Sequence, residues 1–122
     1  MIRRFTPSPG RMEERSESTP SESFRATVHG TVFGSRSTCL DSVGTGDRLV
    51  LIPDPPGQDD PAVWVHLPEG DPVGHLPPEI NAWLVPWMLR GGAASATALR
   101  VRGDETPSWK RLLIEVSVRP AA

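Results

Sequence analysis

Three histidines, His29, His66 and His75, are the only imidazoles in the chain, and none is spaced as metal ligands are. A metal site legible in sequence needs pairs such as HxxxH or HExxH, which set two rings on one helix face. Here a metal would have to be assembled across strands, so no metal and no cofactor is expected. Asp59 and Asp60 are adjacent carboxylates in a proline-rich stretch. Neighbours on one loop are ordinarily solvated turn residues, not a matched acid and base. Gly44-Thr45-Gly46-Asp47 lacks the lysine and following helix of a phosphate-binding loop and reads as a turn. Cys39 is the one cysteine. It can form no intramolecular disulfide, suits a reducing cytoplasm, and reads as a small, partly buried apolar residue. No catalytic constellation emerges, and the chain is expected not to be an enzyme.

What the chain offers instead is flat rings and guanidinium groups. It has four tryptophans, Trp64, Trp83, Trp87 and Trp109, and no tyrosine. Trp83 and Trp87 stand four apart, the spacing that packs a helix onto a sheet. Trp64 and Trp109 lie outside that pattern, and each is either a core-edge ring or a stacking platform for a base or a partner residue. The positive charge is almost all arginine, with Lys110 the single lysine. Arg25, Arg36 and Arg48 are candidate phosphate partners, weighed against ordinary solvated positions. A formal net charge of −2 excludes an avid non-specific nucleic-acid binder, so any such role must rest on a local site. No apolar run is long enough to span a bilayer. Arg3 and Arg4 have no apolar stretch behind them, so no secretory leader is expected and the expected location is the cytoplasm. Arginine over lysine, with abundant Ala, Gly and Pro, suits a GC-rich bacterial genome.

The elements that must position these residues follow from patterning. A chain of 122 residues makes one domain. Residues 1–23 are rich in Ser, Pro, Glu and Arg with isolated Ile2, Phe5 and Met12, a texture that cannot offset its ordering entropy and reads as a disordered tail. From Phe24 to Val32 apolar and polar residues alternate, which predicts a strand ended by Gly34. A short helical turn is expected near 36–43, around Cys39, Leu40 and Val43. Strands follow at 47–53, at 62–67 and near 73–76, with the proline-rich loop 54–61 between the first two. In the third strand Val63, Val65 and Leu67 face one way, Trp64 and His66 the other. Pro77 and Pro78 open the one main helix. Its expected apolar stripe is Ile80, Trp83, Leu84, Trp87 and Met88, and Pro86 removes the hydrogen bond to the Ala82 carbonyl. Strands at 93–102 and through Leu112, Ile114, Val116 and Val118 complete a mainly β fold. The order is ββββαββ over residues 24–119, and closing the sheet into a small β-barrel would remove its exposed edges.

Four local patterns in this order resemble the HIRAN domain family. They are Gly30-Thr31-Val32-Phe33 after the first strand, Gly46-Asp47-Arg48-Leu49-Val50-Leu51, the loop Asp54 to Val65, and Val73-Gly74-His75-Leu76-Pro77 running into a helix with Glu79, Trp83 and Leu84. The last is the most specific. The resemblance covers about Phe24 to Val118 and implies a small OB-like barrel with a packed helix. It also implies a module that binds single-stranded DNA and captures its free 3′ end. In the family an aromatic after the first strand and a Tyr-Asp pair in the proline loop cradle the terminal nucleotide, the acid bonding the 3′-hydroxyl. By that resemblance Phe33 holds the aromatic position, Asp59 or Asp60 the acid, and His75 the polar position ahead of the helix. The loop tyrosine is replaced by Gln58 or Asp59, and the loop asparagines are replaced or deleted.

Two functions follow as expectations. One is a non-catalytic nucleic-acid-binding module in DNA repair or processing, using Phe33, Gln58, Asp59, Asp60, His75, Arg36 and Arg48. By analogy with the family it would act beside a separately encoded helicase or nuclease. The alternative is a protein–protein interaction module that has lost the DNA-end pocket. Salt-dependent binding of single strands would mark the first. A large exposed apolar patch around Trp64 or Trp109 would mark the second.

Overall fold

The computed structural model describes residues 22–31, 34–103 and 105–120. The expected tail therefore lies outside the described residues, except that the first strand, β1 (Glu22–Thr27), starts two residues before the expected domain boundary. Glu22 is already paired with Val118 of the last strand. The other elements are α1 (Arg36–Leu40), β2 (Arg48–Pro53), β3 (Val63–His66), β4 (Pro72–His75), α2 (Pro78–Leu89), β5 (Ala93–Val101), a 3-10 turn (Ser108–Lys110) and β6 (Leu112–Arg119). This is the expected order, including the short helical turn.

The six strands form one antiparallel sheet in the order β1-β6-β5-β2-β3-β4, curled into a half-barrel. Strand β2 hands the sheet from one half to the other. Arg48 and Leu49 pair with Thr97 and Ala96 of β5, and Val50 to Pro53 pair with His66 to Val63 of β3. The period-two patterns settle on the core as read. Leu49 and Leu51, Val63 and Val65, and Leu112, Ile114, Val116 and Val118 all point inward. Fully burying each such side chain contributes roughly 1.5–3 kcal/mol. They converge with Val28, Leu76 and Leu84 on one core.

The first strand is shorter than its alternation suggests, because Gly30 takes φ +74° and turns the chain out of the sheet. Before that turn His29 bridges to His75 and joins the two ends of the half-barrel. The His29 N–H donates to the His75 carbonyl at 2.8 Å, and the His75 N–H donates to the His29 carbonyl at 2.9 Å. Gly74 permits this approach. A Cβ there would collide with the His29 carbonyl and the Val28 side chain.

Helix α2 packs against β2 and β3 and runs through Pro86 to Leu89. Its inner face differs from the expected stripe. Asn81, Leu84 and Val85 are buried, Ile80, Trp87 and Met88 are half-buried, and Trp83 is 43% exposed, with the Phe24 ring edge-on at 5.5 Å. The reason is Asn81. Its Oδ1 accepts the Val63 N–H at 3.0 Å and its Nδ2 donates to the Leu76 carbonyl at 2.9 Å. These bonds pin the polar residue between β3 and β4 and turn Trp83 outward.

The close approach at Gly74 makes a stability prediction. Gly74→Ala should lower stability by about 1–3 kcal/mol, the usual cost of overpacking a tight contact. The measurement is the urea midpoint, and an unchanged midpoint would show that the bridge does not hold the two ends together.

Candidate nucleic-acid interface

The proline loop is clasped at its base by one carboxylate. The Asp54 N–H donates to the Ala62 carbonyl at 2.8 Å. Asp54 Oδ2 accepts the Ala62 N–H at 2.9 Å, and Oδ1 accepts the Trp64 Nε1–H at 2.9 Å. The residues between are held at both ends by one side chain, and the Trp64 indole is fixed in its plane.

Trp64 is the centre of a layered group. The Arg36 guanidinium carbon lies 4.9 Å from its ring centroid, a cation–π distance. The His75 ring meets its edge at 5.4 Å and 72°. Arg36 Nη1 donates to the Gly30 carbonyl at 3.0 Å. His75 Nδ1 lies 3.1 Å from the Leu76 carbonyl; a carbonyl only accepts, so Nδ1 carries the proton in that bond. A Cβ on Gly30 would sit 3.0 Å from both His75 Nε2 and Arg36 Nη1, so the bare glycine makes room for both.

His75 also borders an open groove of about 670 Å³ between the end of the proline loop and α2. Asp60, Pro61 and Ala62 form one bank, and Pro78, Asn81, Ala82 and Pro86 form the other. Asp60 adopts φ +46°, the only described non-glycine residue with a positive φ. Aspartate tolerates this left-handed conformation better than most side chains.

The residues expected to act together are only partly gathered. Asp60 and His75 share the groove, and Arg36, stacked on Trp64, lies on the far side of His75 without lining the groove. Gln58 and Asp59 are exposed residues of the same loop and do not line the groove. Arg48 stands at the opposite end of β2 from the loop, roughly 13 Å from Ile52 at about 3.3 Å per residue. Phe33 lies outside the described residues. Arg25 is on β1, in register with Glu115. Trp109 is 49% exposed with Lys110 Nζ 4.8 Å from its ring centroid. Its turn is tied to the start of the 31–36 segment by the Thr31 hydroxyl, which donates to the Ser108 carbonyl at 3.0 Å.

Two contributors escaped sequence reasoning, Asp54 and Asn81. Both act through bonds to residues five to eighteen positions away, which no local pattern encodes. Among the described residues no three His, Cys, Asp or Glu side chains converge as metal ligands, and no helix is long and apolar enough to cross a membrane.

Asp54→Ala should leave the Ala62 and Trp64 N–H groups without acceptors and cost about 1–3 kcal/mol. A double-mutant cycle with Trp64→Phe, read by urea denaturation, should show coupling of about 0.5–3 kcal/mol. Additive losses would mean that the two side chains act independently.

The architecture matches solved structures. A protein from Lactobacillus plantarum, solved as a structural-genomics target, superposes with a TM-score of 0.68 at 15% identity, over 84% of this chain and 99% of that one. The HIRAN domain of human HLTF superposes with a TM-score of 0.53 at 19% identity, over 80% of this chain and 73% of that one. No protein-family profile matches the sequence, and no curated protein matches it. At these identities the likeness establishes a HIRAN-like fold.

Proposed function

We propose that this chain is a non-catalytic nucleic-acid-binding module that holds the free 3′ end of a single DNA strand. The observation that carries the reading is the shared groove, where Asp60 and His75 stand together beside the Arg36–Trp64 layer. A carboxylate accepts a terminal hydroxyl and repels a terminal phosphate. A groove of this volume falls within the range that encloses a small ligand. The HIRAN-like fold supports the same reading, since the family resemblance implies end capture with an acid in this loop. A binding role in place of catalysis fits how the neighbouring polar groups are used. Asp54 is committed to Ala62 and Trp64, and His75 Nδ1 to Leu76. Acting beside a separately encoded helicase or nuclease in cytoplasmic DNA repair or processing is the context this activity fits.

A second reading, a protein-interaction module, draws on a different place. An apolar groove is lined by Glu22, Trp83, Trp87, Val118 and Pro120. There the Trp87 Nε1–H is buried and has no acceptor among the described residues.

Fluorescence anisotropy of the full chain with single-stranded oligonucleotides at low salt separates the two. One oligonucleotide ends in a 3′-hydroxyl and one in a 3′-phosphate. The expected outcome is binding that needs the free hydroxyl, weakens as salt rises, and falls at least tenfold with Phe33→Ala and with Asp59→Asn combined with Asp60→Asn. No binding by the wild type at high micromolar protein would sink the nucleic-acid reading and turn the search to protein partners.

A further inference from the structure

The strand register carries the groove onto a second surface. His75 on β4 faces Trp64 on β3, and Trp64 faces Ile52 on β2. Beyond a register shift between Val65 and His66, Pro72 faces His66, and His66 faces Val50. Cross-strand partners share a face of the sheet, so these side chains form one outward stripe behind the inward Leu51, Val63 and Val65. Val50 and Ile52 are 42% and 44% exposed on it. Single exposed aliphatics are common, but two beside a tryptophan on one face make a contiguous apolar patch. Arg48, two residues before Val50, ends the stripe on one side. The Arg36 guanidinium over Trp64 ends it on the other.

We propose that this stripe is the track on which the single strand runs after leaving the groove, its bases against Val50, Ile52 and Trp64 and a phosphate at Arg48. The proposal rests on the nucleic-acid reading above and extends it to the bound segment. Continuity is one argument, because His75 belongs to both the groove and the stripe. Charge is the other. Arg48 stands at one end of the stripe and the Arg36 guanidinium over Trp64 at the other, and the one carboxylate beside Trp64 among the described contacts, Asp54, is bonded to the indole Nε1–H and the Ala62 N–H. That arrangement suits an anionic partner with apolar faces. The size also fits. Four residue steps along β2 at about 3.3 Å and two strand spacings of about 4.8 Å give a diagonal of roughly 16 Å. With the groove, this accommodates the low end of the roughly 4–16 nucleotides bound by single OB-type folds.

The test compares oligothymidylates of three and ten nucleotides, both with free 3′-hydroxyls, against the full chain. The wild type should bind the longer one at least tenfold more tightly. Val50→Asp combined with Ile52→Asp should erase that advantage and leave the short oligonucleotide's affinity unchanged. Arg48→Gln should lower the slope of log affinity against log salt by about 0.7, for the longer one only. A urea midpoint matching the wild type confirms that each variant folds. If the wild type binds both lengths and the variants change neither, the track is overturned while the groove stands. If the wild type binds neither, both fall. If sedimentation shows that the aspartate pair converts a dimer to a monomer, the stripe is an interface between copies and the proposal is overturned.

Discussion

His29, two residues beyond β1, and His75 of β4 exchange two backbone hydrogen bonds that join the two ends of the sheet order. The rest of the candidate site is arranged around that contact. It sets the His75 ring at the edge of Trp64 and brings Gly30, which immediately follows His29, under the Arg36 guanidinium. It is possible only because position 74 carries no side chain. A half-barrel with unjoined ends would leave β4 as an open edge, a template for pairing with other chains. The same bonds that join the two ends of the fold therefore assemble the candidate site.

The rings and charges at this surface are held by partners chosen from far along the chain. Asp54 and Trp64 are ten residues apart, yet one hydrogen bond fixes the indole plane while another closes the loop between them. Asn81 does the equivalent for the helix, occupying a polar gap between β3 and β4 that an apolar side chain could not satisfy. Buried polar groups of this kind are costly unless fully paired, and when paired they specify one arrangement. Loop and helix are thereby held facing each other, and the groove between them keeps its width.

Much of the fold was legible because its signal is local. Alternation in β2, β3 and β6 and the paired prolines at the start of α2 each depend on neighbours within a few residues. The inner face of α2 was not legible. Hydrophobicity alone favours Trp83 over Asn81, and only the unpaired groups of Val63 and Leu76 reverse that choice. At the site, His75 and Asp60 were legible as residue types in a familiar order, but which acid of the 59–60 pair meets the groove depends on a single left-handed residue. Arg48 is a candidate by its charge alone. Its distance from the loop follows from its place at the start of β2 and not from anything in its neighbourhood in sequence.

Pro86 gives the helical bank of the groove an unusual chemistry. A proline has no N–H, so the Ala82 carbonyl loses the donor that every interior turn of a helix normally supplies. Ala82 and Pro86 both border the groove, so the missing ladder bond lies in its helical bank. A carbonyl left in this state needs a donor from water or from whatever enters. The helical bank of the groove thus carries one backbone acceptor whose ladder donor its own sequence has removed.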